Sequence, residues 1–136
     1  MSASEEIGSI LASMRRIAVV GLSPSPDRPS HEVASYLKRQ GYTIVPVNPG
    51  EEAILGEKAY PDLRSIPGDL DVVDVFRRAE AVMPIAEEAV RRGGIKVFWM
   101  QLGVRNEEAA RLLQQHGIAV IQDRCLKIEH ESRRSR

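Results

Sequence analysis

A buried-strand pattern that ends in a glycine and a polar loop is the stretch of this chain best suited to hold a charged ligand. Residues 17–20 are apolar and mostly β-branched, Gly21 ends the run, and a polar loop containing Arg28 leads to a helical pattern near Ser30. A strand–loop–helix junction presents backbone N–H groups and a helix N-terminus, and both favour phosphate. The residues therefore predict a phosphate-bearing ligand at residues 21–30.

Three further strand-like runs, at residues 42–47, 71–76 and 96–100, also end in polar or solvent-tolerant residues. The residues at these junctions are Val47, Asn48, Pro49, Phe76, Arg77, Arg78, Met100 and Gln101. The carboxyl ends of parallel strands meet at one edge of a sheet, and open α/β sheets bind their ligands outside that edge. We therefore expect these residues to lie on one rim together with the loop after Gly21.

The elements that position this rim alternate between strand and helix. Helical patterns precede the first strand and follow the first, third and fourth, and a fifth strand is predicted at residues 118–121. This alternation predicts an α/β fold with a Rossmann-like doubly wound sheet of about five mainly parallel strands, with helices on both faces in three layers. Residues 1–131 are predicted to form a single domain that ends in a short helical turn, and residues 132–136 a disordered tail.

The bulk composition excludes several classes of partner. The chain has 136 residues, and its 19 basic and 19 acidic residues give a formal net charge of zero. This balance argues against nucleic acid and against an anionic membrane surface as partners. The acidic N-terminus lacks the apolar core of a signal peptide. Cys125 is the single cysteine, so no internal disulfide forms. A cytoplasmic protein is expected.

The loop after Gly21 departs from the known nucleotide-binding fingerprints. Ser23 and Pro26 stand where a dinucleotide fingerprint needs its second and third glycines, and Asn48 rather than an acid follows the second strand. The P-loop pattern is also absent. NAD is therefore disfavoured, although an NAD(P)- or other nucleotide-dependent enzyme is kept as an alternative. The planar guanidinium of Arg28 is suited to holding a phosphate.

Six short motifs occur in an order and spacing that resemble those of a known family. They are Gly21-Leu22-Ser23, Gly41-Tyr42, Pro46-Val47-Asn48-Pro49, Asp74-Val75-Phe76-Arg77-Arg78, Trp99-Met100-Gln101-Leu102-Gly103 and Asp123-Arg124-Cys125. Together they resemble the stand-alone CoA-binding domain proteins, whose fold is similar to the CoA-binding domain of the succinyl-CoA synthetase α subunit. The resemblance covers residues from about 16 to about 130.

This resemblance implies coenzyme A (CoA) or an acyl-CoA as the ligand and assigns roles to the rim residues. Those facing the CoA phosphates would be Gly21, Leu22 and Ser23. Those near the adenosine would be Val47, Asn48 and Pro49. Those bordering the pantetheine would be Phe76, Arg77, Arg78, Met100 and Gln101. The synthetase has a basic residue after the second strand where this chain has Glu51 and Glu52, so Arg28 is assigned the missing positive charge.

The sequence shows no catalytic constellation. Asp71 and Asp74 are three residues apart on a strand and so face opposite sides of the sheet. No two histidines have metal-ligand spacing. Cys125 has no base beside it in sequence, and a mixed disulfide with the CoA thiol is left open. The synthetase also uses a second domain with a phosphorylated histidine, for which this chain has no room.

We therefore expect a CoA-binding protein that is not itself an enzyme. An accessory or regulatory subunit that senses CoA is a further alternative. A homodimer or a protein partner, meeting the apolar face of the first helix at Ile7, Ile10 and Leu11, is also left open by the sequence.

Overall fold

The computed structural model describes residues 2–134 and contains a central parallel sheet. Its strands are β1 (Arg16–Val20), β2 (Thr43–Val47), β5 (Leu70–Val75), β6 (Ile95–Met100) and β7 (Ala119–Ile121), in the spatial order β2-β1-β5-β6-β7. All neighbouring pairs are parallel. The strand order reverses at β1, so this is a doubly wound sheet of five strands, as the sequence predicted.

Helices cover both faces of this sheet. They are α1 (Ala3–Ser13), α2 (Pro29–Arg39), α3 (Val82–Arg92), α4 (Glu107–Gln115) and α5 (Leu126–Arg134). The buried residues of α1, α2 and α5 pack with Ile17 and Val19 of β1 in one core, and those of α3 and α4 pack with Ala18 and Val20 in the other. Successive side chains of a strand point to opposite faces, so each strand contributes to both cores. The predicted three layers are confirmed.

The helix starts follow local signals in the sequence. Ser2 and Glu5 form a reciprocal capping box at α1. Pro29 occupies the first turn of α2, where its missing N–H costs no hydrogen bond. The Asn106 side chain accepts a hydrogen bond from the Ala109 N–H (2.9 Å) at the start of α4.

The C-terminal segment differs from the sequence prediction. Residues 132–134, predicted as part of a disordered tail, form the last turn of α5. Arg133 stabilises this turn because its guanidinium binds Glu129 at 2.8 Å and the Ser4 carbonyl of α1 at 3.1 Å. Residues 135–136 lie outside the described residues. None of the described helices is long and apolar enough to cross a membrane.

The structure also contains a small antiparallel hairpin that was not predicted from the sequence. It consists of β3 (Ala53–Ile54) and β4 (Glu57–Lys58) and lies between β2 and β5 in the chain. Its turn residues Leu55 and Gly56 have φ values of 57° and 75°. A turn with two positive φ values favours Asn or Gly at both positions, and Leu55 gives no such signal.

Candidate functional site

Two adjoining cavities lie along the carboxyl edge of the central sheet. The larger, of about 640 Å³, lies over the ends of β1, β5 and β6, between α2 and α5. The smaller, of about 330 Å³, lies at the ends of β1 and β2. Gly21 and Arg77 line both cavities, which therefore meet at the end of β1. We call the two together the rim groove.

Gly21 is required by a close approach between β1 and β5. Its φ is 83°, and an added Cβ would lie 2.5 Å from the Phe76 carbonyl oxygen. Its N–H donates to the Val47 carbonyl of β2 at 3.0 Å. Because the backbone comes so near to Phe76, the loop after Gly21 begins directly beside the end of β5.

The polar loop satisfies many of its own hydrogen bonds. The Ser30 hydroxyl accepts from the Ser23 N–H (2.9 Å), and the Ser23 hydroxyl accepts from the Ser25 N–H (3.1 Å). The backbone N–H of Ser23, expected to face a phosphate, is therefore already occupied. The Ser30 and His31 N–H groups in the first turn of α2 have no acceptor among residues 2–134. The helix N-terminus that the sequence predicted to favour phosphate therefore offers these two donors, of which His31 lies one residue beyond the predicted stretch 21–30.

Arginines without ionic partners border the larger cavity. Arg28 and Arg77 are exposed, and neither side chain forms an ion pair within the described part of the chain. Arg78 pairs at the surface with Glu80 at 3.4 Å. Two uncommitted guanidinium groups beside free backbone donors suit a ligand that carries several negative charges.

The wall between α2 and α5 is held by two polar contacts. The Lys127 ammonium lies 2.8 Å from a Glu32 carboxylate oxygen, and this hydrogen bond lowers the pKa of Glu32. The Tyr36 hydroxyl lies 2.6 Å from Nδ1 of His130. Burial lowers the pKa of His130, which favours the neutral imidazole that can accept the hydroxyl proton. These contacts fix α5 as one side of the cavity.

The far part of the larger cavity is mostly apolar. Phe76 and Val104 line it, and at its mouth Leu102 and Ile128 are 63% and 53% exposed. Gln101 also lines the cavity although it is only 6% exposed. Its Oε1 accepts the Leu126 N–H at 3.2 Å. An uncharged chain with polar amides would match this lining better than a second charged group.

Most of the predicted site residues lie at the rim groove, in two sets. Those lining the larger cavity are Gly21, Ser23, Arg28, Phe76, Arg77, Arg78 and Gln101. Those lining the smaller cavity are Val47, Asn48 and Pro49. The Asn48 amide has a structural role as well, because its Nδ2 donates to the Leu22 carbonyl (3.0 Å) and its Oδ1 accepts from the Gly50 N–H.

The side chains of Leu22 and Met100 do not reach the rim groove, which corrects the sequence prediction. Both are fully buried, Leu22 in the core under α2 and Met100 in the core under α3 and α4. Met100 shares the α3 and α4 face with Phe98, two residues earlier on the strand. Any contact of these residues with a ligand is therefore limited to the backbone.

Several lining residues outside the stretch 21–30 were not assigned to the site from the sequence. They are Glu32, Val33, Leu102, Gly103, Val104, Cys125, Lys127, Ile128 and Glu131. Of these residues, most that follow β6 in the chain belong to α5 or to the loop before α4. The sequence predicted a single turn for the start of α5, so it gave no reason to expect that α5 would form a wall.

A buried carboxyl group lies next to this site but outside its lining. Asp74 is fully buried, and neither of its oxygens has a hydrogen-bond partner among residues 2–134. Burial raises its pKa well above the usual range. Its neighbours in register are Val19 and Trp99. Within the described residues, no group of His, Cys, Asp and Glu is arranged to hold a metal ion.

Comparison with known proteins identifies the family and supports the fold. The family model described as a CoA binding domain matches residues 15–131. The uncharacterized protein YneT of Bacillus subtilis is 47% identical over 125 residues, covering 92% of each chain. A solved structure of a hypothetical protein from Pyrococcus horikoshii has a TM-score of 0.91 and 38% identity, and covers 96% of this chain and 92% of that one.

A longer relative is the α subunit of the ADP-forming acetate–CoA ligase II of Pyrococcus furiosus. It is 31% identical over 124 residues, a match that covers 84% of this chain but only 27% of the ligase subunit. The resemblance inferred from the six motifs is thus confirmed over nearly the whole chain. The chain belongs to the CoA-binding domain family.

Proposed function

We propose that this protein binds CoA or an acyl-CoA in the rim groove and does not turn it over as an enzyme. The observation that carries the proposal is the order of chemistry along the groove. Uncommitted cations and backbone donors lie at the ends of β1 and β5, and an apolar cavity with a buried amide lies beyond them at β6. CoA has the same order, with an anionic nucleotide at one end and a long uncharged thiol arm at the other.

In this arrangement the ligand would lie across the strand ends in their spatial order. The smaller cavity at β1 and β2, with Asn48 and Pro49, would receive the adenosine. The first turn of α2 and Arg77, which lies between the two cavities, would hold phosphates. The pantetheine arm would pass Phe76 and Gln101 in the larger cavity.

The ligase reaction of the longer relative is not part of the proposal. The match spans about a quarter of that subunit. The match therefore corresponds to one portion of that subunit. Enzymes that turn over acyl or phosphoryl substrates repeatedly use positioned acids, bases or metal ions. The described residues offer no metal cluster, and the one buried carboxyl without a partner, Asp74, does not line the cavity.

A calorimetric titration with CoA, dephospho-CoA, NAD and NADP tests the proposal. We expect saturable one-to-one binding of CoA and much weaker binding of both nicotinamide nucleotides. Clear binding of NAD or NADP without binding of CoA would overturn it and favour the nucleotide-dependent enzyme. Native mass spectrometry of the purified protein should show a co-purifying ligand with the mass of CoA or of an acyl-CoA.

A further inference from the structure

The larger cavity is lined both by Cys125 and by Gln101, whose side-chain amide has an unused hydrogen-bond donor. Cys125 lines the cavity and immediately precedes α5, with its carbonyl accepting the Glu129 N–H at 2.9 Å. The next N–H in the chain, that of Leu126, donates to Oε1 of Gln101. The side-chain amide of Gln101 is therefore bonded to the residue that directly follows Cys125 in the chain.

The free donor is Nε2 of Gln101. The Leu126 N–H can only donate, so it fixes Oε1 as the acceptor and leaves Nε2 as the other end of the amide. Nε2 has no acceptor within residues 2–134, and it is not among the unpaired atoms sealed from solvent. Since Gln101 is only 6% exposed and lines this cavity, its free donor faces the cavity. A nearly buried amide donor that faces a cavity is available to an acceptor on a ligand.

The surroundings of the thiol favour an acyl group as that ligand. Leu102 and Ile128 are the exposed large hydrophobic residues of the described chain, and both line this cavity with Cys125. An acyl thioester offers a carbonyl oxygen to a donor and a hydrocarbon chain to an apolar mouth. Cys125 follows β7, beyond β6 in the sheet, so it lies on the side away from the proposed adenosine end.

We infer that Cys125 accepts the acyl group of a bound acyl-CoA by thioester exchange, an inference that rests on the proposed CoA binding. Cys125 loses its proton to solvent, and its Sγ attacks the thioester carbonyl carbon. Nε2 of Gln101 donates to the oxyanion that forms, as an oxyanion-hole donor does. The bond from carbon to the CoA sulfur then breaks, and the CoA thiolate leaves and takes a proton from solvent. The products are S-acyl-Cys125 and free CoA, with no oxidant or reductant consumed.

The experiment incubates the full chain with hexanoyl-CoA in the presence of a phosphine reductant. Intact mass spectrometry and a thiol assay are followed over time. We expect one hexanoyl group per chain, released by neutral hydroxylamine and mapped to Cys125, with one CoA freed per group. Because the chain has a single cysteine, the same thiol in urea-unfolded protein is the matched control. The folded chain should react at least about a hundredfold faster, through binding and the oxyanion donor.

Two variants test the separate roles of Cys125 as the nucleophile and Gln101 as the oxyanion donor. Cys125→Ser should give no hydroxylamine-labile adduct. Gln101→Glu keeps an oxygen for the Leu126 N–H but removes the donor, and should slow acylation by about a hundredfold. Unchanged thermal unfolding of this variant would show that the loss is not one of folding.

Three outcomes would overturn the inference. They are equal rates in folded and unfolded chains, an adduct on Lys127 that resists hydroxylamine, and an adduct with the mass of CoA that the reductant removes. If wild-type protein binds CoA in the titration but is not acylated, only this inference fails. If it does not bind CoA, the proposed function fails first.

Discussion

The two ends of the central sheet differ in how far their arginines are bonded within the protein. At the amino end, Oδ2 of Asp71 accepts the backbone N–H groups of Arg15 and Arg16 at 2.9 and 2.8 Å, and Lys96 lies 3.3 Å from its other oxygen. The Arg92 guanidinium there donates to the carbonyls of Leu63, Ile66 and Gly68. At the carboxyl end, Arg28 and Arg77 have no ionic partner within residues 2–134.

This difference indicates which end of the sheet is built for stability and which for binding. Charges bonded within the protein stabilise the fold because their desolvation is offset by hydrogen bonds. Charges left without partners around a cavity contribute little to folding and remain available to a ligand. Substitutions at the two ends should therefore affect different measurements.

The largest effect is expected at the carboxyl end. The double substitution Arg28→Ala with Arg77→Ala should weaken CoA binding about a hundredfold, because two charge-assisted hydrogen bonds are lost. The melting temperature should change little, since neither side chain is paired within the protein. Calorimetric titration measures the affinity. Arg111→Ala, at an exposed arginine of α4 outside the cavities, is the matched control and should leave binding intact.

The single substitutions Arg28→Ala and Arg77→Ala test whether either arginine holds the 3′-phosphate. If Arg28 or Arg77 holds the 3′-phosphate of CoA, its loss should weaken CoA more than dephospho-CoA. Equal weakening of the two ligands by both variants would contradict that role.

The next effect concerns Asp74, the buried carboxyl near the carboxyl end of β5. Asp74→Val removes a carboxyl without partners and should raise the free energy of unfolding by about 2 kcal/mol at pH 8. Because burial raises the pKa of Asp74 in the folded state, the wild-type protein loses stability as pH rises from about 4 through that folded-state pKa. The stability gained by Asp74→Val should therefore grow over the same pH interval. Urea unfolding at several pH values measures it.

Asp74→Asn serves as the control for this pH dependence. It keeps the shape and polarity but cannot ionise, so it should remove the pH dependence while leaving the cost of an unpaired polar group. A wild-type stability that rises between pH 5 and pH 8 relative to both variants would contradict the assignment.

A smaller effect is expected from Asp71 at the amino end. Burial opposes its charge, but the hydrogen bonds from Arg16 and Arg15 and the contact with Lys96 lower its pKa. Asp71→Asn should reduce the free energy of unfolding by about 1–2 kcal/mol at pH 7. The loss should shrink as pH falls below about 4, where the wild-type carboxylate takes up its proton. CoA affinity should stay within about twofold, because no contact with the rim groove changes.

The smallest effect is expected from Ser30→Ala. This change leaves the Ser23 N–H without its acceptor and loosens the loop over the start of α2. CoA affinity should fall about fivefold, corresponding to roughly 1 kcal/mol for one hydrogen bond. Ser25→Ala removes an exposed hydroxyl of the same loop and is the control. Equal effects of the two variants would show that the Ser30 contact has no special role.

The sequence predicted the elements whose signals are local. The predicted strand runs match the structure within a residue or two, and local capping signals mark the helix starts at Ser2 and Asn106. The burial of Met100 could also have been predicted from the sequence, because counting alternate residues along its strand places it in the core with Phe98.

The remaining features depend on contacts that are distant in sequence. The length of α5 depends on Arg133 reaching Ser4, which is 129 residues away. The cavity wall depends on Lys127 meeting Glu32 across two helices. The hairpin at residues 53–58 depends on a positive φ at Leu55, which tertiary context imposes against the preference of the residue. None of these has a signal in a short window of the sequence.

Hydrogen–deuterium exchange with and without saturating CoA shows which end of the sheet binds the ligand. We expect CoA to slow exchange at the carboxyl end, in residues 21–31, 76–78, 101–104 and 125–131. We expect unchanged exchange at the amino end, in residues 15–16, 69–71 and 92–96. Protection confined to the amino end, or no protection at a CoA concentration shown to saturate the protein, would contradict a CoA site on this rim.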